Sequence, residues 1–156
     1  GNVKLINFFD SGDPFIEDIK KDSTKQILIS DEYWGVMPEP NVIGFVKDIF
    51  MLENNELVLK NSEFGEYYDN KITGLKEKYN GLKKKVELGM QPVNLAFPLY
   101  REAVEVIVNY YAKGDIQGLA KFWNEEKDSL QKNIPADEFT DLSNFVFKVL
   151  PAAKNA

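Results

Sequence analysis

Neither cysteine nor histidine occurs among the 156 residues. Without cysteine there can be no disulfide, thiolate metal site or thiol nucleophile, and the redox compartment stays open. Histidine is the commonest general base near neutral pH and the commonest metal ligand. Its absence excludes histidine-type serine triads and histidine-ligated zinc sites within the chain. Any chemistry built here falls to carboxylates, Lys, Arg, Tyr or Ser. Long hydrophobic runs are also lacking, and none approaches the length that crosses a bilayer. Cations are the scarcer charge, with 19 Lys plus Arg against 25 Asp plus Glu and a formal charge of -6. That balance argues against nucleic acid as the principal partner. It suits simple solubility and equally an inhibitor of a basic protein. No Walker loop, Gly-x-Gly-x-x-Gly fingerprint or metal-ligand cluster occurs, so no cofactor and no metal is expected.

What is present is core-forming material. Hydrophobic residues make up 44% and aromatics 13%, enough for one substantial core. No Gly/Ser linker divides the chain, so a single domain over residues 1–156 is expected. A chain beginning at Gly1 leaves a cytoplasmic location and export after signal removal both open. Ile6 stands where a myristoylation signal would want Ser or Thr.

Residues from about 3 to 60 read as β-rich. "VKLINFF" (Val3 to Phe9) is β-branched and aromatic, and "KQILIS" ends a second short apolar run at Ser30. Between them, "DPFIEDIKKD" offers Asp13 as a cap, Pro14 in the first helical position, early acids and late lysines, which predicts a short helix. "VIGFVKDIFML", residues 42–52, fits a helix by spacing and a strand by its β-branched content. Strand, "ENNE" turn and the strand "ELVLK" is the preferred reading. From Ser62 the chain reads as helix: one from Ser62 to Leu88, with Asn70 a candidate break and "GMQP" the stop. A second begins near Pro98 with Leu99, Ala103, Val106, Ile107 and Tyr110 on its apolar face. Gly114 closes it and Asp115 caps a third, which carries Ile116, Leu119, Ala120, Trp123 and Leu130. The last follows Pro135 and presents Phe139, Leu142, Val146 and Val149. The expected class is α+β, a small β-rich part (about residues 3–60) against a layer of about four helices (about residues 62–150). "YYAKGDIQGLAKFW", Tyr110 to Trp123, resembles a phrase of cone-shaped NTF2-like α+β domains, where several strands follow it. Helices follow it here, so it is read as a helical hairpin and no family residue is carried over.

"ITGLKEKYNGLKKK", Ile72 to Lys85, repeats itself at a spacing of seven. Its apolar positions Ile72, Leu75, Tyr79, Leu82 and Val86 make one helical stripe, too short for a coiled coil. Lys76, Lys78, Lys83, Lys84 and Lys85 are a candidate basic surface. They spread around the helix, however, and the solvated back of a core helix is the preferred reading. Gly74 and Gly81 flank the stripe, each costing about 1 kcal/mol relative to Ala. Close approach of another backbone would explain them.

Four constellations bear on chemistry. "FFDSGDP" contains the Asp-Ser-Gly of aspartic proteases, but such a site needs a second copy or a dimer, and the chain holds no second Asp-Ser/Thr-Gly; a turn is the better reading. Asp10 and Asp13 lack the ligand alternation of a calcium loop. Glu63 with Glu66, Glu102 with Glu105, and Glu125, Glu126 with Asp128 are read as surface charge, the second pair as a solvated rim beside an apolar stripe. In Tyr67–Tyr68 and Tyr110–Tyr111, neighbours point about 100° apart, so one ring of each is expected in the core with its hydroxyl at the rim. The candidate partner-binding site is Asp31, Glu32, Tyr33 and Trp34 in "SDEYWGVMPEP": rigid aromatic anchors beside acids that suit a basic partner. The competing reading has both rings capping the core.

The expected function is a non-enzymatic protein–protein binding module, for instance an inhibitor or immunity-type protein acting on a basic partner. A small exported or surface-associated protein of structural or ligand-binding role is the alternative. A carboxylate-based hydrolase comes third, because spacing alone assembles no catalytic site. No catalytic residue is assigned, and the oligomeric state stays open.

Overall fold

The computed structural model describes residues 15–31, 46–90 and 92–150. Strands β1 (Phe15–Glu17), β2 (Gln26–Asp31), β3 (Val46–Glu53) and β4 (Glu56–Leu59) form an antiparallel meander in chain order. Asn54 and Asn55, at φ +50 and +68, make the two-residue turn between β3 and β4. That geometry matches strand twist, and asparagine tolerates it better than most side chains. Residues 46–52 are therefore strand; residues 42–45 and the run Val3 to Phe9 lie outside the described residues.

The short helix expected after Asp13 is not formed. Phe15–Glu17 is an edge strand paired to β2, with Ile16 opposite Ile27. The acids and lysines that resembled a helix instead build a turn: the Asp18 carboxylate accepts from the backbone N–H groups of Asp22 (3.1 Å) and Ser23 (2.9 Å). Gln26, fully buried, secures the return by accepting from Ile19 N–H at 2.8 Å and donating to Thr24 O at 2.9 Å. Strand pairing and this side-chain network outweigh a local propensity worth a few tenths of a kcal/mol per residue.

A 3₁₀ turn (Asn61–Phe64) leads into α1 (Gly65–Glu87), which runs unbroken through Asn70. Its stripe is the expected one, with Ile72, Leu75, Tyr79 and Val86 buried and Leu82 half-buried. Helix α2 (Pro92–Lys113) starts six residues before the expected Pro98, which lies inside the helix. Pro92, also suited to a first helical position, opens it, and Pro98 gives up one early intrahelical hydrogen bond. Helices α3 (Ile116–Asn133) and α4 (Ala136–Val149) follow. Gly114 at φ +78 ends α2, and Asp115 caps α3 by accepting from Gly118 N–H at 2.8 Å, so the hairpin reading of Tyr110 to Trp123 holds.

Alternation along the strands divides the sheet. Phe15, Leu28 and Ile49 share one face; Ile16, Ile27, Phe50 and Leu59 share the other. The first face carries Leu28 and Ile49, both 0% exposed, into a core shared with Tyr68, Leu99, Ile107, Leu119 and Leu142. Each fully buried aliphatic side chain contributes about 1.5–3 kcal/mol. Helix α2 touches α1, α3, α4 and β3, and is accordingly buried well beyond its expected stripe, through Tyr100, Val104 and Val108.

Candidate functional site

Polar contacts from the 3₁₀ turn and from the first turn of α1 hold both to β3. The Asn61 side chain accepts from Ile49 N–H at 2.8 Å and donates to Asp48 Oδ1 at 2.6 Å. The Tyr68 hydroxyl donates to Lys47 O at 2.7 Å, so Tyr68 is the core ring of its pair, with Tyr67 packed edge-on at 5.4 Å. Burial and nearby Asp48 push the Tyr68 phenol far above the ordinary tyrosine range, which keeps it a donor.

Beside this clamp, β3, α1 and α2 enclose an open cavity of about 280 Å³. Lys47, Lys71 and Lys78 line it with Tyr67, Asn70, Gly74 and Leu75, and Glu105 and Asn109 contribute from α2. Lys71, Gly74 and Lys78 fall on one side of α1 because they stand three and four residues apart. The close backbone expected at Gly74 is not there: nothing lies within 4 Å of where its Cβ would be, and the same holds for Gly81. Among the described residues, Lys47, Lys71 and Lys78 take part in none of the ion pairs within 4.0 Å. Lys47 rests 4.7 Å from the Phe15 ring centroid and Lys71 5.9 Å from that of Tyr67. A second cavity of about 530 Å³ shares Tyr67 and Asn70 but is lined by Glu17, Asp18, Glu63 and Glu66 against Lys20 and Lys21.

The pair Glu102 and Glu105 is not the solvated rim that its spacing implied. Glu102 is 4% exposed, with Oε1 accepting from Arg101 at 3.0 Å and Oε2 buried without a hydrogen-bond partner among the described residues. Glu105 is half-buried, and burial, then Glu102, pushes its carboxyl above the usual glutamate value, opposed by Arg101, Lys78 and Lys71. The reason is the central position of α2, which covers even its polar flank. Glu63 and Glu125 behave as expected, pairing with Lys60 at 2.9 Å and Lys121 at 3.9 Å. Glu126, by contrast, is not surface charge: its side chain is mostly buried between α1 and α3, where it accepts from Tyr79 and Lys83.

The five lysines of the candidate basic surface are distributed among different tasks. Lys78 lines the cavity, and Lys76 lies 5.9 Å from the Phe122 ring centroid. Lys83 donates at 2.7 Å to Glu126 Oε2, which also accepts from the buried Tyr79 hydroxyl at 3.0 Å. Lys84 and Lys85 are exposed in the last turn of α1, where cations complement the helix dipole.

The other sheet face is apolar and open over part of its area only: Ile29, Val46 and Asp48 share it by register and are buried. Ile16, Leu52 and Leu59 are 71%, 58% and 53% exposed, and Ile27, Phe50 and Leu57 between them are half-buried. Within the four strands the one lysine, Lys47, belongs to the helix-facing side, while Asp48 belongs to the other, where it is buried and accepts from Asn61. Asp31 ends β2 opposite Val46; Glu32, Tyr33 and Trp34 follow it and lie outside the described residues, as do Asp10 and Asp13. Neither the cavity nor the open face was legible in advance, because both arise from elements brought together by folding. The continuous apolar runs in "QILISD" and "KDIFMLE", which put apolar side chains on both faces of the sheet, are the sequence signal that bears on the open face.

Among the described residues no group of three or more potential metal ligands converges, and no helix is long and apolar enough to cross a membrane. Comparison with family models, curated proteins and solved structures found no match.

Proposed function

We infer that the chain is a binding module that docks a basic protein on the open face of its sheet. The observation that carries this reading is the cross-strand row Ile16, Ile27, Phe50 and Leu59 with Leu52 beside it, apolar and free of lysine and arginine within the strands. Exposed apolar patches of this kind, rimmed by polar groups, mark interaction sites more often than chance surface. Charge selects the partner: Asp31 at the end of β2 and a chain charge of -6 favour a cationic surface. Glu32, Tyr33 and Trp34 follow Asp31 in the sequence, and this reading assigns their acid and aromatic anchors to the same partner.

The test is capture by wild type and by two double variants, Leu52→Asp with Leu59→Asp and Leu88→Asp with Met90→Asp. Leu88 and Met90 are 69% and 55% exposed at the α1–α2 connection and control for loss of exposed apolar groups. One basic protein should be held in equimolar amount by wild type and by the control, and lost by the sheet variant with its circular dichroism unchanged. Equal capture by all three, or a wild-type homodimer that the sheet variant splits, would replace this reading.

A further inference from the structure

We propose that the cavity between β3, α1 and α2 binds a compact, doubly charged oxyanion. The site is distinct from the open sheet face, since Lys47 projects from the opposite side of β3. Three ammonium groups border one space of about 280 Å³ in a chain of net charge -6, and none is neutralised by an ion pair within 4.0 Å among the described residues. A cluster of like charges held in a concave wall raises the local potential and favours an anion of matching charge. Lysine, asparagine and tyrosine together supply donors, so the chemistry fits oxygens that only accept.

The geometry also accounts for Gly74. Glycine mid-helix costs about 1 kcal/mol relative to Ala, yet no neighbour needs the space a Cβ would take. Set between Lys71 and Lys78, it leaves the cavity floor bare where an anion would sit between the two ammonium groups. Two ligand classes share this chemistry, phosphoryl groups and dicarboxylates.

Calorimetric titration of the full chain with inorganic phosphate and, separately, with succinate at pH 7.5 distinguishes them. Saturable binding of one or both is expected, the tighter anion identifying the class. Lys71→Gln and Lys78→Gln should each weaken it about tenfold, as loss of a charge-assisted contact does. Gly74→Leu should abolish it by filling the floor. Lys84→Gln, the same charge change at an exposed site, should alter it less than twofold. Glu105→Gln removes the one acid among the lining residues and should tighten binding severalfold, a gain that general damage to the fold cannot produce. Absence of saturable binding by either anion overturns the proposal, as does binding that Lys84→Gln weakens as much as Lys78→Gln.

Discussion

Removing the Tyr79 hydroxyl tests how α1 is held to α3. Tyr79 is fully buried, and its hydroxyl donates at 3.0 Å to the Glu126 oxygen that also receives Lys83 at 2.7 Å. A hydrogen bond to a charged acceptor contributes about 1.5–3 kcal/mol, so Tyr79→Phe, which keeps the ring against Phe122, should cost about 2 kcal/mol. Glu126→Ala strands that hydroxyl and breaks a part-buried ion pair worth about 1 kcal/mol, for a total near 3 kcal/mol. When Tyr79→Phe is already in place, the same Glu126→Ala change should cost only about 1 kcal/mol, a coupling of about 2 kcal/mol. Urea unfolding of the four proteins, with unchanged dependence on denaturant, measures it. Burial and Glu126 push the Tyr79 phenol far above the ordinary range, so the coupling should be equal at pH 6 and pH 9. A coupling below about 0.5 kcal/mol would refute the shared-acceptor account.

Glu105 should make stability depend on pH in a defined sense. Its folded carboxyl is raised above the ordinary value of 4.5 by burial first and Glu102 second, so the folded chain holds that proton more tightly than the unfolded chain. The group therefore destabilises when charged, and the penalty fades as pH falls from the raised value toward 4.5. Glu105→Gln should be more stable than wild type at pH 7, with the gap closing by about pH 4; urea midpoints at the two pH values decide it, and a constant gap contradicts the cause given. Two glycines on helices should respond oppositely to alanine. A Cβ at Gly118 would meet Tyr110 Cε1 at 2.5 Å, so Gly118→Ala should cost about 1–3 kcal/mol, whereas Gly81→Ala, with open space, should gain up to about 1 kcal/mol by thermal unfolding.

Periodicity made much of the helical layer legible. The stripe Ile72, Leu75, Tyr79 and Val86, the Gly114–Asp115 junction and the Asn54–Asn55 turn are short-range patterns with a direct physical cause, and each is found where its residues stand. What failed was decided at longer range. Phe15–Glu17 carries helix signals but gains more by pairing with β2, and Pro98 resembles a helix start although Pro92 precedes it. Glu102 is buried against expectation because one helix's spacing cannot reveal that further elements cover its polar flank. The cavity was illegible for the same reason: Lys47 is 24 positions from Lys71 in sequence, and it takes the shared core and the Tyr68 and Asn61 contacts to bring their segments together.

The most direct measurement of the docking account is the affinity of the captured basic protein for wild type, for Leu52→Asp with Leu59→Asp, and for Trp34→Ala with Asp31→Asn and Glu32→Gln. Anchors at an interface centre are worth about 2 kcal/mol or more each, so both variants should bind at least about thirtyfold more weakly, and added salt should weaken the wild-type complex. Three equal, salt-independent affinities would show that neither the open sheet face nor the Asp31–Trp34 stretch is where this protein meets its partner.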